Sequence, residues 1–180
     1  MKILVLKSSG NKRGSSNMLA DEFIRGAKES GNEVTEFDVI RADIRPCLGC
    51  NSCMSHNGAC VRKDDYEKTL KSLLLETDMI VFVMPVYYFG WPAQLKAAVD
   101  RFYSVNDQLM GMKKKCALLA VAYDDTDAVF EAVLANYRQI YEYMNFQNVG
   151  AILGKGCGTP DMTKASPYPN AAYELGKTVR

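Results

Sequence analysis

The sequence predicts an α/β fold: a doubly wound sheet of five parallel strands in the order 2-1-3-4-5, covered by helices on both faces. Two observations carry this. Continuous apolar runs of four to seven residues recur along the chain, as buried parallel strands require. Amphipathic helical patterns lie between them, and strands that alternate with helices give a parallel sheet in three layers.

The first run covers residues 3–6. A helix follows over 16–30, with Leu19, Phe23, Ile24 and Ala27 on one stripe and Gly31 as its stop. Residues 33–39 alternate, with Thr35, Phe37 and Val39 on one face, which suits a strand nearer the sheet edge. A second helix is expected over 64–76 from an acidic cap and Leu70, Leu73, Leu74 and Leu75. The third strand is 79–84, and the next helix, 92–103, opens on Pro92 at its first position. Residues 116–122 form the fourth strand, 125–144 a helix, 149–153 the fifth strand and 171–179 a last helix. Two long stretches, 40–63 and 154–170, read as irregular, and loops of that length usually carry function. We read residues 1–180 as one domain with a cysteine-rich insertion at about 40–63.

Composition narrows the function. The chain has 22 Lys and Arg against 21 Asp and Glu, a net charge of +1, which gives no footprint for nucleic acid or an acidic membrane. No run approaches the length of a membrane span. The apolar start is too short for a signal peptide, so a cytoplasmic protein with reduced thiols is expected.

In an open α/β sheet, ligands bind beyond the carboxyl ends of the strands. After the first strand stands Ser8-Ser9-Gly10-Asn11-Lys12-Arg13-Gly14-Ser15-Ser16-Asn17. It has no Gly-Lys-Ser/Thr and no G-x-G-x-x-G, so it is neither a Walker loop nor a dinucleotide fingerprint. Two readings fit it: a polar turn with a serine cap, or a site for one phosphate monoester such as that of FMN. Its place after the first strand favours phosphate, with Ser9, Asn11, Lys12, Ser15, Ser16 and Asn17 as candidate contacts. After the third strand, Pro85-Val86-Tyr87-Tyr88-Phe89-Gly90-Trp91 offers aromatic rings and backbone N–H groups where a flat flavin ring needs both. The alternative is a satellite hydrophobic cluster. After the fourth strand, Tyr123 stands at a possible ring edge, and Asp124 and Asp125 read as helix caps. Gly154, Gly156 and Gly158 after the fifth strand are either a close approach to a cofactor or a flexible turn, with Cys157 among them.

Cys47, Cys50, Cys53 and Cys60 form C-x2-C-x2-C-x6-C. Three readings compete: an iron–sulfur cluster, zinc, or free thiols. The compact spacing favours iron–sulfur, because structural zinc more often uses two separated C-x2-C knuckles. His56, inside the loop, reads as a solvated residue, and Cys116 as a small core residue.

These motifs give a family likeness. The chain resembles the iron–sulfur flavoproteins and the wider NADPH-dependent FMN reductase branch of flavodoxin-like proteins. The likeness rests on Ser9 and Gly14-Ser15-Ser16-Asn17, on the cysteine motif with Lys63-Asp64-Asp65, and on Pro85 to Gly90 leading to Asp100-Arg101. It implies FMN, with phosphate on the first loop and the ring against the strand 3 loop. It also implies a [4Fe–4S] cluster on the four cysteines, and homodimers or homotetramers. The first loop departs from the family's Gly-Ser-Pro-Arg, and Lys12 or Arg13 stands in for the missing arginine. The expected activity is an oxidoreductase that passes electrons from NAD(P)H or a reduced carrier protein through FMN and the cluster to a small-molecule or protein acceptor. The alternatives are an FMN-only quinone, azo or FMN reductase, and a non-enzymatic flavodoxin-type carrier, which the near-neutral charge disfavours.

Overall fold

The computed structural model describes residues 1–180. Five strands, β1 (Lys2–Lys7), β2 (Glu33–Asp38), β3 (Met79–Pro85), β4 (Lys115–Val121) and β5 (Gln147–Gly154), form one sheet. Their order is β2-β1-β3-β4-β5 and every pairing is parallel, as the sequence predicts. The helices are α1 (Ser15–Glu29), α2 (Ser52–Ser55), α3 (Lys71–Glu76), α4 (Ala93–Asp100), α5 (Asn106–Gly111), α6 (Glu131–Tyr143), α7 (Pro160–Lys164) and α8 (Tyr168–Thr178).

Strand alternation divides the interior into two cores. Leu4, Leu6, Ile80, Phe82 and Leu118 face α3, α4 and α6. Ile3, Val5, Val81, Val83 and Leu119 face α1 and α8. The strands β1, β3 and β4 are buried on both faces, which is why they read as unbroken apolar runs. On the second face α1 and α8 cross closely at Gly26 and Gly176. A Cβ at Gly26 would overlap the Tyr173 carbonyl, and one at Gly176 the Phe23 carbonyl.

Several elements depart from expectation. The helix expected over 64–76 opens as a π-helix, Tyr66–Leu70, before α3. The helix expected over 92–103 is α4, then a 3-10 turn, Arg101–Val105, then α5. Pro92 is its cap rather than its first residue. A 3-10 turn, Ala128–Phe130, opens the helix that becomes α6. The stretch 154–170 is less irregular than expected: Thr159 caps α7, with its hydroxyl accepting from Met162 N at 3.3 Å, and Pro160 follows at the first helical position. The edge strand β5 is only half-buried, and its register shifts beside Gly150, at φ +153°.

No helix is long and apolar enough to cross a membrane.

Candidate functional site

The loop after β1 folds around one carbonyl. Asn11 O accepts from Gly14 N at 2.9 Å and from Asn17 Nδ2 at 2.8 Å. Ser8 Oγ donates to Val83 O at 2.7 Å and fastens the loop to β3. Helix α1 starts after Gly14 with no side-chain cap and no acidic residue in its first turn. Its first N–H groups have no intrahelical acceptor. Ser16 Oγ and Asn17 Oδ1 are buried without a hydrogen-bond partner. An orphaned hydroxyl beside free N–H groups at the positive end of a helix fits a phosphate.

A cleft of about 270 Å³ opens from this loop. One wall is Ser9, Asn11, Gly14, Ser15 and Ser16; the next is Pro85, Val86 and Tyr87. Val86 N donates to Val121 O at 2.8 Å, so the end of β3 is tied to β4. Beyond it, Tyr87 and Gly90 exchange backbone hydrogen bonds of 3.2 and 3.0 Å around Tyr88 and Phe89, whose φ values are +48° and +62°. This is the geometry of a mirror-image turn, which favours Asn-Gly, and two bulky aromatic residues there carry strain. Tyr88 is 102% exposed and Phe89 61%. They stand on the tip of the turn, outside the cleft wall, with Gly90. Trp91 takes no part. It packs on Phe82 with ring centroids 5.3 Å apart and donates to Val133 O at 3.2 Å, so it lies half-buried against the core.

Tyr123 forms the third side, 78% exposed at the rim. Its ring lies on Gly158, where a Cβ would overlap it. Cys157 and Gly158 close the cleft, and Cys157 N donates to Ala122 O at 2.7 Å. The sequence marked this wall only by its spaced glycines. Asp124 serves the turn: its carboxylate accepts from Thr126 N at 2.9 Å, and that bond holds it below the usual carboxylate range. Of the other candidate contacts, Lys12 is exposed on the loop and Asn17 braces the loop from within.

The cysteine loop lies apart. All six cysteines are free. Cys47 and Cys50 are exposed, and Cys53 and Cys60 half-buried. Left-handed backbone at Gly49, Asn51, Asn57 and Gly58 turns the chain repeatedly. No three Cys, His, Asp or Glu side chains come together as metal ligands. As arranged here, the four thiols do not form the cage expected from their spacing. The physical reason is that thiols gain little from meeting one another; the metal itself supplies the energy that gathers them. His56 is exposed and its Nδ1 lies 2.7 Å from Ser52 O.

The loop's base is a buried polar knot. Arg101 Nη1 donates to Asp64 Oδ2 at 2.7 Å, with both side chains at most 2% exposed. Burial alone would raise the Asp64 pKa; the bonds from Arg101 and Arg45 N and the Arg101 charge outweigh it and hold the carboxyl low. The sequence placed Asp64 and Arg101 in its motifs without signalling that they meet.

A family model described as the flavodoxin-like fold matches residues 1–176. An iron–sulfur flavoprotein of Archaeoglobus fulgidus is 34% identical over 101 residues, covering 56% of this chain and 45% of that one. The chain thus spans about half the length of the curated iron–sulfur flavoproteins first matched. YwqN of Bacillus subtilis, provisionally named an NAD(P)H-dependent FMN-containing oxidoreductase, is 23% identical over 98% of this chain and 97% of its own. The solved NAD(P)H:quinone oxidoreductase of Methanothermobacter marburgensis superposes with a TM-score of 0.74 at 16% identity, over 99% of this chain and 96% of that one. With the parallel 2-1-3-4-5 sheet, the matched family model shows that this chain belongs to the flavodoxin-like fold family.

Proposed function

We propose that this chain is an FMN-dependent oxidoreductase that takes electrons from NAD(P)H and delivers them to a small-molecule or protein acceptor. The observation that carries the proposal is the cleft beyond β1, β3 and β4. It joins an uncapped helix N-terminus with an orphaned Ser16 hydroxyl to a wall of Pro85, Val86 and Tyr87. FMN, when bound, supplies hydride-accepting chemistry. Ser9, Ser15, Ser16 and the first-turn N–H groups of α1 hold its phosphate, and Lys12 adds positive charge at the loop's outer edge. Asn11 and Asn17 keep that loop folded through the Asn11 carbonyl. Pro85, Val86 and Tyr87 bound the ring on one side, and Tyr123 on Gly158 bounds it on another. Tyr88, Phe89 and Gly90 form the outer lip; in a homodimer or homotetramer the two exposed rings are the groups to bury. No side-chain acid or base is assigned, because hydride transfer to a flavin needs none. The name of YwqN, similar over nearly its whole length, supports this reading.

The test is anaerobic. Apoprotein reconstituted with FMN should bind it and show its flavin absorbance bleached by NADPH or NADH. Failure to bind FMN overturns the proposal. Binding without bleaching by either nucleotide overturns the nicotinamide donor and favours a reduced carrier protein.

A second, finer reading is that Cys47, Cys50, Cys53 and Cys60 take a [4Fe–4S] cluster, which makes the chain an iron–sulfur flavoprotein. The C-x2-C-x2-C-x6-C spacing and the names of the archaeal relatives favour it. It requires the loop to close around the metal. Iron and sulfide analysis of protein purified without oxygen tests it: about four irons per chain supports it, and none returns the chain to an FMN-only reductase.

A further inference from the structure

We propose that Gly158 is a positioning residue for the cleft: it gives the Tyr123 ring its seat, so that the loop after β5 sets how this ring meets the flavin. The proposal rests on reading the cleft as the FMN site.

The loop after β5 holds the backbone on both sides of Tyr123. Ala122 N donates to Gly154 O at 2.9 Å, and Cys157 N donates to Ala122 O at 2.7 Å. Gly156 N donates to Asp124 O at 3.0 Å. These three bonds tie the two loops together beyond the last strand pair, Val121 with Gly154. A Lys155–Asp127 ion pair of 3.0 Å adds a bridge farther out, but Asp127 is exposed and such a pair contributes little. With both flanking residues fixed, Tyr123 keeps mainly its side-chain torsions, and its ring lies on Gly158.

The ring, not the backbone, requires this glycine. Gly156, at φ +62°, stands where a left-handed turn itself favours glycine. Gly158 lies outside that region, so its φ admits any residue. What a side chain lacks there is room. A Cβ would stand 2.1 Å from Tyr123 Cδ2 and 2.9 Å from Cε2 and Cγ. The backbone is pinned on either side as well. Cys157 before it is buried, its sulfur 3.5 Å from Lys155 O and 3.8 Å from Ser166 Oγ. Thr159 after it caps α7, and its carbonyl accepts from Thr163 N at 3.0 Å and from Thr163 Oγ1 at 2.9 Å. A substituent at 158 therefore turns the ring out of its place.

The seat belongs to the cleft rather than to the core. Tyr123, Cys157 and Gly158 line the same cavity as Ser16, Pro85 and Val86, and the Tyr123 ring is largely exposed. An aromatic ring fixed before a flat ligand arrives loses little torsional freedom on binding, and the stacking or edge contact it makes is then realised in full.

The experiment compares wild type, Gly158→Ala, Tyr123→Ala and the double variant Tyr123→Ala/Gly158→Ala. Affinities for FMN and for riboflavin are read from flavin fluorescence. The seat is read without flavin, from nuclear Overhauser contacts between the Tyr123 ring protons and the Gly158 α-protons. The wild type should show that contact. Gly158→Ala and Tyr123→Ala should each bind FMN about fivefold or more weakly, the worth of one aromatic contact. Riboflavin, which lacks the phosphate, should lose the same factor, whereas damage to the phosphate loop would weaken FMN alone. The double variant should bind within about twofold of Tyr123→Ala, because without the ring the added methyl has nothing to displace. Gly158→Ala binding both flavins like wild type overturns the proposal. So does an equal loss from Gly158→Ala with and without the Tyr123 ring, which marks a merely structural glycine. If Gly158→Ala does not fold, the wild type and Tyr123→Ala decide: the contact together with an equal loss for both flavins supports the proposal, and absence of either overturns it. Failure of the FMN reading shows as a wild type that binds neither flavin; failure of this proposal shows in a wild type that binds both.

Discussion

At the scale of single residues, Ser16 separates folding from binding. Its hydroxyl is buried beside the α1 N-terminus and bonds to nothing in the protein. Ser16→Ala removes an unsatisfied polar atom, so thermal stability without FMN should stay level or rise slightly. The same change should weaken FMN binding by about 1.5–3 kcal/mol, the worth of a hydrogen bond to a charged group. Fluorescence titration beside a melting curve checks both signs. Cysteines divide just as sharply. Burial pushes the Cys116 thiol up to about 11, against the hydrogen bond it receives from the Tyr137 hydroxyl at 3.2 Å. Iodoacetamide at neutral pH should modify the exposed Cys47 and Cys50 first and spare Cys116 until the protein unfolds. Peptide mapping of the alkylated sites reads the order.

At the scale of elements, two contacts decide how helices and loop are held. The α1–α8 crossing depends on Gly26 and Gly176, each lying against the other helix's backbone. Gly176→Ala has backbone, not a flexible side chain, to push away. It should therefore cost on the order of 1–3 kcal/mol despite alanine's better helix propensity, as measured by urea unfolding. The Asp64–Arg101 pair joins the π-helical start of the 66–76 segment to the end of α4. Asp64 is held below its ordinary pKa, so its ionised form contributes stability at neutral pH. That contribution is complete above the unfolded value near ~4 and is lost only as pH falls through the lower folded value. Asp64→Asn leaves Arg101 buried without its counter-charge and should cost about 3–5 kcal/mol at pH 7. The gap between variant and wild type should narrow only in acid below about pH 4, as unfolding curves at several pH values would show.

At the scale of the whole molecule, the cleft lies where the sheet ends, so FMN bound as proposed would tie together the carboxyl ends of β1, β3 and β4. Saturation at about a hundred times the dissociation constant should add about 2.7 kcal/mol. In a chain of 180 residues that raises the melting temperature by roughly 5–10 °C. An unchanged melting curve with excess FMN would contradict the proposed site. Much of this architecture is legible in the chain itself. The unbroken apolar runs of β1, β3 and β4 mark strands buried on both faces, alternation marks β2 as an edge, and Ser9 to Asn17 mark a polar loop that runs into a helix. These signals are local: each is a period or a residue set within one segment. What the tertiary structure alone decided depends on segments distant in sequence. Trp91 packs against the core rather than at the cleft because Phe82 and the Val133 carbonyl are there to receive it. Cys157 and Gly158 wall the cleft because β5 runs beside β4. The four cysteines do not come together as a ligand set, although their spacing suits one metal centre, because spacing fixes only how far apart ligands can be along the chain. The base of the cysteine loop is tied by Arg101, 37 residues from its partner Asp64, and local sequence carries no record of that pairing.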